Sequence, residues 1–284
     1  MPLLTYRVAS VELQTMSDSF LSGRTALVTG ATSGIGLAIA GVFGRAGLRV
    51  AINGLGDAAH VAAALSTIRS AGAPDARHFA VDLRDAATIE ASMAEVTAWN
   101  AIDILVNCAG VQHTASLADM PVERWDAILA INLSAAFHTM RAALPGMAER
   151  GYGRVINIAS VHGLVASVNK APYVASKFGL VGMSKVAALE YAAAGSRATG
   201  GVTVNCICPG WVETPLIEPQ IAVRTQAHGG DREAGIRELV REKQPSGRMT
   251  APEEIGELAL WLCHPVAHNL TGAAIPVDGA WTAQ

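Results

Sequence analysis

Apolar residues fall in short runs along this chain. The runs are "RTALVTG" (24–30), "LRVAIN" (48–53), "RHFAVDL" (77–83), "IDILVNCAG" (102–110), "GRVINIAS" (153–160), "GVTVNCICPG" (201–210) and "AAIPVDG" (273–279). Each is of strand length. Longer segments of helical period lie between most of them, at 35–46, 57–70, 86–99, 121–149 and 171–194. Short apolar strands separated by helices predict βαβ units and a parallel sheet covered on both faces. Right-handed crossovers then give a single, doubly wound α/β domain, placed here at residues 20–284. Residues 1–19 read as an extension ahead of that domain, disordered in expectation, and Met16 is an alternative start. One segment breaks the rhythm: 211–250 is long, polar and punctuated by Pro and Gly, with a helical patch near 231–243. An insertion of that kind after a strand end is usually functional.

Ligands of such sheets sit beyond the carboxyl ends of the strands. The ends of interest are Gly30, Asn53, Asp82, Gly110, Ser160 and Gly210. At the first, "TGATSGIG" (29–36) leads from a strand into a helix, with Gly30, Gly34 and Gly36 framing Thr32, Ser33 and Ile35. Missing side chains let the backbone approach a pyrophosphate, and the helix N-terminus offers free N–H groups. The second strand ends at "NGLGD" (53–57). Asn53 is not acidic and Asp57 comes late for a ribose contact. No Lys or Arg stands at 53–57 to pair with a 2′-phosphate, so the reading is NAD over NADP.

Tyr173 and Lys177 are four residues apart, on one face of a helix that Pro172 helps to start. A phenol with a pKa near ~10 is a poor base at neutral pH. A fixed ammonium one turn away, and a cationic nicotinamide, both favour the tyrosinate. Tyr173 can therefore accept an alcohol's proton or return it to a ketone. Ser160, at the end of "GRVINIAS", can hydrogen-bond the same oxygen.

Taken together, "TGATSGIG", "NCAG", "INIAS" and "YVASK" resemble the short-chain dehydrogenase/reductase family over roughly residues 20–284. The resemblance implies a Rossmann-type domain, a nicotinamide cofactor and a catalytic tetrad. It implies that Ser160 stabilises the reacting oxygen and that Tyr173 is the acid/base. Lys177 would lower the tyrosine pKa and bind the nicotinamide ribose, and Asn132 would hold a water in the proton relay. Asp82 and Leu83 match adenine-contacting positions. Asn107, Ala109 and Gly110 match the usual N-N-A-G, with Cys108 in place of the second Asn. Pro209, Gly210, Val212 and Thr214 match residues that flank the nicotinamide.

Polar residues near the strand ends remain beyond the tetrad: Gln112, His113, His162, Lys170 and Gln220. Amide, imidazole and ammonium groups gathered in one region suit a small anion, most simply a carboxylate. Lys170 precedes Tyr173 by three residues and His162 follows Ser160 by two, so the anion lies only a few bonds from the reacting hydroxyl. A short 3-hydroxy or 3-keto acid fits. A finer resemblance, to hydroxy-acid members of the family, runs through "GVQHTASL", "SVHGLVASVNKAPYVASK", "CPGWVETPLIEPQI", "EKQPS" and "VDGAWTAQ". It implies NAD-dependent oxidation of (R)-3-hydroxybutyrate to acetoacetate, with Gln112, His162, Lys170 and Gln220 on the carboxylate. Trp211 would then shape the pocket, 211–250 would form a helical substrate lid, and a homotetramer is the expected assembly. His113 reads as structural. The alternatives are a 3-oxoacyl reductase or sugar dehydrogenase of the same family, and a non-catalytic NAD(H)-binding protein.

Composition narrows the partners. Of 284 residues, 51% are hydrophobic and 16% charged, which is a globular balance. Net charge is −3 and Lys/Arg do not cluster, which argues against nucleic-acid and anionic-membrane surfaces. No uninterrupted apolar run approaches the roughly 18–20 residues of a membrane span. The N-terminal segment lacks the pattern of a secretory signal. Cys206 and Cys208 form a C-x-C without a second pair, which disfavours zinc. Reduced thiols in a cytoplasmic protein are expected.

Overall fold

The computed structural model describes residues 20–283, and the expected extension at 1–19 lies outside them. Seven parallel strands form one sheet: β1 (Thr25–Val28), β2 (Arg49–Ile52), β3 (Ala76–His78), β4 (Ile104–Asn107), β5 (Tyr152–Ile158), β6 (Gly201–Pro209) and β7 (Ala274–Val277). Their order is β3-β2-β1-β4-β5-β6-β7. The direction of winding reverses between β1 and β4, which opens a crevice at their carboxyl ends.

Alternate residues of each strand serve opposite faces. Ala26, Val28, Ile104 and Val106 join Ile39 and Phe43 of α1 (Gly34–Arg45) in one core cluster. Leu27 and Leu105 join Met140, Leu144 and Met147 of α5 (Ala135–Arg150) in the other. Both faces being covered, β1 and β4 are buried at every position, which is why the sequence runs there are continuously apolar.

The remaining helices are α2 (Ala58–Ala71), α3 (Ala86–Trp99), α4 (Val122–Leu129), α6 (Ala171–Tyr191), α7 (Glu218–Ala227), α8 (Arg232–Arg241) and α9 (Pro252–Cys263). Asp57 is the N-cap of α2, accepting from the His60 N–H at 2.8 Å. That role explains its late position after β2.

Three elements differ from the sequence expectation. First, β3 stops at His78, although apolar residues continue to Leu83. The Asn53 side-chain amide donates to the carbonyls of Phe79 (3.3 Å) and Val81 (3.4 Å), drawing the chain off the sheet edge. Second, the helix expected over 121–149 is α4 and α5 joined by a π turn at Ala130–Ser134. By length and composition this stretch could cross a membrane. Ala136, Met140, Leu144 and Met147, buried in the fold, account for its apolar character. Third, the 211–250 segment holds two helices, α7 and α8, not one patch.

Candidate active site

The turn between β1 and α1 is packed without room to spare. A Cβ on Gly30 would lie 2.6 Å from the Ala109 Cα, and one on Gly36 would lie 2.3 Å from the Gly30 carbonyl oxygen. Gly30 and Gly34 also take φ of +65° and +55°, which L side chains rarely adopt. Ser33, the N-cap of α1, makes no side-chain cap bond, so that hydroxyl does not consume the amides that open the helix. Thr32 Oγ1 donates to the Leu55 carbonyl at 2.7 Å and ties the turn to the end of β2. Uncapped helix amides beside Ile35 and a glycine-lined backbone fit a pyrophosphate.

Asn53 is buried, and its amide nitrogen is committed to Phe79 and Val81. Leu55 projects from the same turn, 84% exposed. Asp82 is exposed and gripped by the Arg84 guanidinium at 2.6 Å; that hydrogen bond holds its pKa down at about 2. Leu83 is half-buried against the core. The Asn107 amide donates to Asn157 Oδ1 (2.8 Å) while its oxygen accepts from Thr139 Oγ1 (2.7 Å), so the side chain braces the end of β4. Gly110 leaves space that a Cβ would fill within 3.8 Å of Lys177 Nζ.

Ser160, Tyr173 and Lys177 converge here. Ser160 follows β5 and caps a short 3-10 turn, its Oγ accepting from the His162 N–H at 3.1 Å. The same hydroxyl lies close enough to the Tyr173 phenol to favour its ionised form. Burial pushes the phenol pKa up, and Ser160 opposes that shift. Lys177 is buried, and its Nζ donates to the Ile158 carbonyl at 2.8 Å. Burial lowers its pKa to about 8. The expected ammonium-to-tyrosine coupling is thus not a direct bond. Asn132 lies in the π turn, buried, and its side chain both accepts from and donates to the Val111 backbone at 2.9 Å. Its amide nitrogen also reaches Ser176 Oγ at 3.3 Å. The side chain therefore fixes the loop after β4, and its oxygen and amide hydrogens are engaged by protein.

On the far side of Tyr173 lies a second group. The His162 ring meets Tyr173 and Trp281 edge-on, with centroids 6.0 and 5.5 Å away. His162 Nδ1 donates to the Val165 carbonyl at 3.3 Å, since a carbonyl can only accept. Burial first, then the Lys170 charge, depress its pKa to about 4. Lys170 Nζ stands 5.3 Å from the Trp211 ring centre. Burial, then the nearby Arg224, lower the Lys170 pKa. Among the described residues no carboxylate pairs with Lys170. Gln220 Oε1, on α7, and Trp211 Nε1 are buried without a hydrogen-bond partner among the described residues. Gln112 Nε2 donates to the Leu216 carbonyl at 3.2 Å, joining the loop after β4 to the start of the 211–250 segment. Pro209 ends β6 and Gly210 follows it, Val212 is buried beyond them, and Thr214 lies over Gly34 with its Cγ2 3.4 Å from where a Cβ would be.

Sequence reasoning gave no role to Gln244. It is 1% exposed, and its side chain binds the Trp211 backbone. The sequence signal was its place in "EKQPS", a polar residue in an otherwise solvated segment.

A family model described as short chain dehydrogenase matches residues 24–223. The D-beta-hydroxybutyrate dehydrogenase of Cupriavidus necator is 50% identical, covering 93% of this chain and 100% of its own. Its namesake from Rhizobium meliloti is 43% identical, covering 92% and 99%. Among solved structures, a variant of actinorhodin polyketide ketoreductase with NADPH superposes with a TM-score of 0.83 at 36% identity, covering 92% and 98%.

Proposed function

Since this chain belongs to the short chain dehydrogenase family, we propose that it oxidises (R)-3-hydroxybutyrate reversibly to acetoacetate, a step of ketone-body metabolism, with NAD as cofactor. A bound nicotinamide supplies the acceptor for the hydride leaving the carbinol carbon. The chain's own residues handle the proton. Ser160 holds the substrate oxygen, Tyr173 takes the hydroxyl proton as the carbonyl forms, and Lys177 provides a positive field behind the phenol. In reduction the same proton returns from Tyr173.

One observation carries the substrate reading: Lys170, with no carboxylate partner among the described residues, stands beside the Trp211 ring on the segment that leads into Tyr173. An ammonium left uncompensated in a partly buried site favours an anion. His162, Gln112 and Gln220 lie around the same end and supply further polar contacts. Neighbours named for NADPH leave the cofactor choice to local chemistry. The absence of Lys or Arg at 53–57, the exposed Leu55, and an Arg84 already spent on Asp82 all favour NAD.

Phe137 of α5 and Phe178, Val186 and Leu189 of α6 are exposed apolar side chains. They support assembly with further copies, proposed as a homotetramer and testable by sedimentation. Four free cysteines suit a reducing, cytoplasmic setting. The test of function is an NADH-fluorescence screen of short hydroxy acids, neutral alcohols and sugars with both cofactors. 3-Hydroxybutyrate with NAD should give the highest turnover. A sugar or a neutral alcohol turned over better would overturn the reading.

A further inference from the structure

Gln244 lies just past the end of α8, where the lid returns to the sheet. Its Oε1 accepts the Trp211 backbone N–H at 2.5 Å and its Nε2 donates to the Arg248 carbonyl at 2.6 Å. The strand ends are shaped around it. A Cβ on Gly210, after β6, would lie 2.3 Å from Gln244 Oε1. One on Gly279, after β7, would lie 3.2 Å from its Nε2 and 2.2 Å from Ser246 Oγ. The backbone closes the same clasp: Thr250 N–H donates to the Trp211 carbonyl (2.9 Å) and Ser246 N–H to the Gly279 carbonyl (3.0 Å).

Two aromatic walls rise from this junction. Trp211 carries Lys170 against its ring. Trp281 packs on Trp211 at 5.6 Å and on His162 at 5.5 Å. A buried amide with both ends bonded fixes backbone position more tightly than an apolar side chain of equal size.

We propose that Gln244 is a positioning residue for the acid-binding end of the site, holding Trp211, and through it Lys170 and Trp281, in register with the reacting centre. This rests on the hydroxy-acid reading. Gln244 touches neither substrate nor cofactor; it acts through the Trp211 backbone.

Gln244→Leu removes both polar ends at similar volume. Its KM for (R)-3-hydroxybutyrate should rise about tenfold, the worth of roughly one buried hydrogen bond, while KM for the neutral methyl ester changes by less than about twofold. NAD affinity by fluorescence titration should stay as in the wild type. Gln244→Glu supplies the rescue. A protonated carboxyl offers one acceptor and one donor to the same partners, whereas an ionised one cannot donate to Arg248. Relative to wild type at each pH, its KM should fall toward unity as pH drops from about 9 to about 6, because burial raises a carboxyl pKa. The proposal is overturned if folded Gln244→Leu keeps the wild-type KM for the acid, or if the Gln244→Glu ratio is flat with pH. Should Gln244→Leu not fold, the Gln244→Glu ratio decides alone. Failure of the hydroxy-acid reading looks different: the wild type itself would treat acid and ester alike. The near-UV circular dichroism of the Trp211–Trp281 pair would then decide, a changed band in either variant supporting the role of Gln244 and an unchanged band refuting it.

Discussion

Lys177 Nζ donates a 2.8 Å hydrogen bond to the Ile158 carbonyl and stands 5.7 Å from the centre of the Tyr173 ring. The ammonium is anchored by β5, so its effect on the phenol is one of field. Burial works against both groups, lowering the Lys177 pKa to about 8 and raising that of Tyr173. Tyr173 is a base only when deprotonated, so kcat/KM for oxidation should rise with pH and that for reduction should fall. Lys177→Met removes the ammonium 5.7 Å from the Tyr173 ring centre. The rising limb should move to higher pH and oxidation near pH 8 should drop at least about tenfold. Paired pH–rate profiles check this, and an unmoved limb would contradict it.

Tyr173→Phe should cost about 10²–10⁴ in kcat, the usual worth of a positioned acid/base. Dinucleotide binding should survive, because the glycine turn and Thr32 are untouched. Stopped-flow turnover together with fluorescence titration separates the two effects.

Much of this site was readable in the chain because its residues sit where periodicity points. Gly30, Ser160 and Gly210 end apolar runs, and Tyr173 and Lys177 share a helix face. Local signals reached no further than that. The Asn53 amide nitrogen is drawn to Phe79 and Val81, partners more than twenty residues on, which no local pattern announces. Asn132 also fixes the loop after β4 through Val111, a tertiary contact that no local pattern announces. Helix α7 escaped notice because only Ile221 of its ten residues is buried, which leaves almost no apolar stripe. The place of Gln244 in "EKQPS" marks it, but its partners follow only from β6 and β7 ending side by side.

His162 gives the stability profile a sign. Its pKa is about 4 in the fold against an ordinary 6.5, with burial the main cause. Above pH 6.5 both folded and unfolded chains carry it neutral. As pH falls from 6.5 toward 4 the unfolded chain gains the proton first. Stability present above that window is therefore lost, by roughly 3 kcal/mol in total. Urea denaturation should show a shallower loss over this range in His162→Asn than in the wild type.

The central claim is that this site selects a carboxylate beside the reacting hydroxyl. The direct measurement is kcat/KM for (R)-3-hydroxybutyrate and for its methyl ester, in the wild type and in Lys170→Ala. A charge-assisted hydrogen bond is worth about 1.5–3 kcal/mol, or roughly ten- to a hundredfold. The wild type should prefer the acid by at least that factor. Lys170→Ala should lose most of the preference through KM while handling the ester much as before. Equal use of acid and ester by the wild type, or an undiminished preference in Lys170→Ala, would contradict the account.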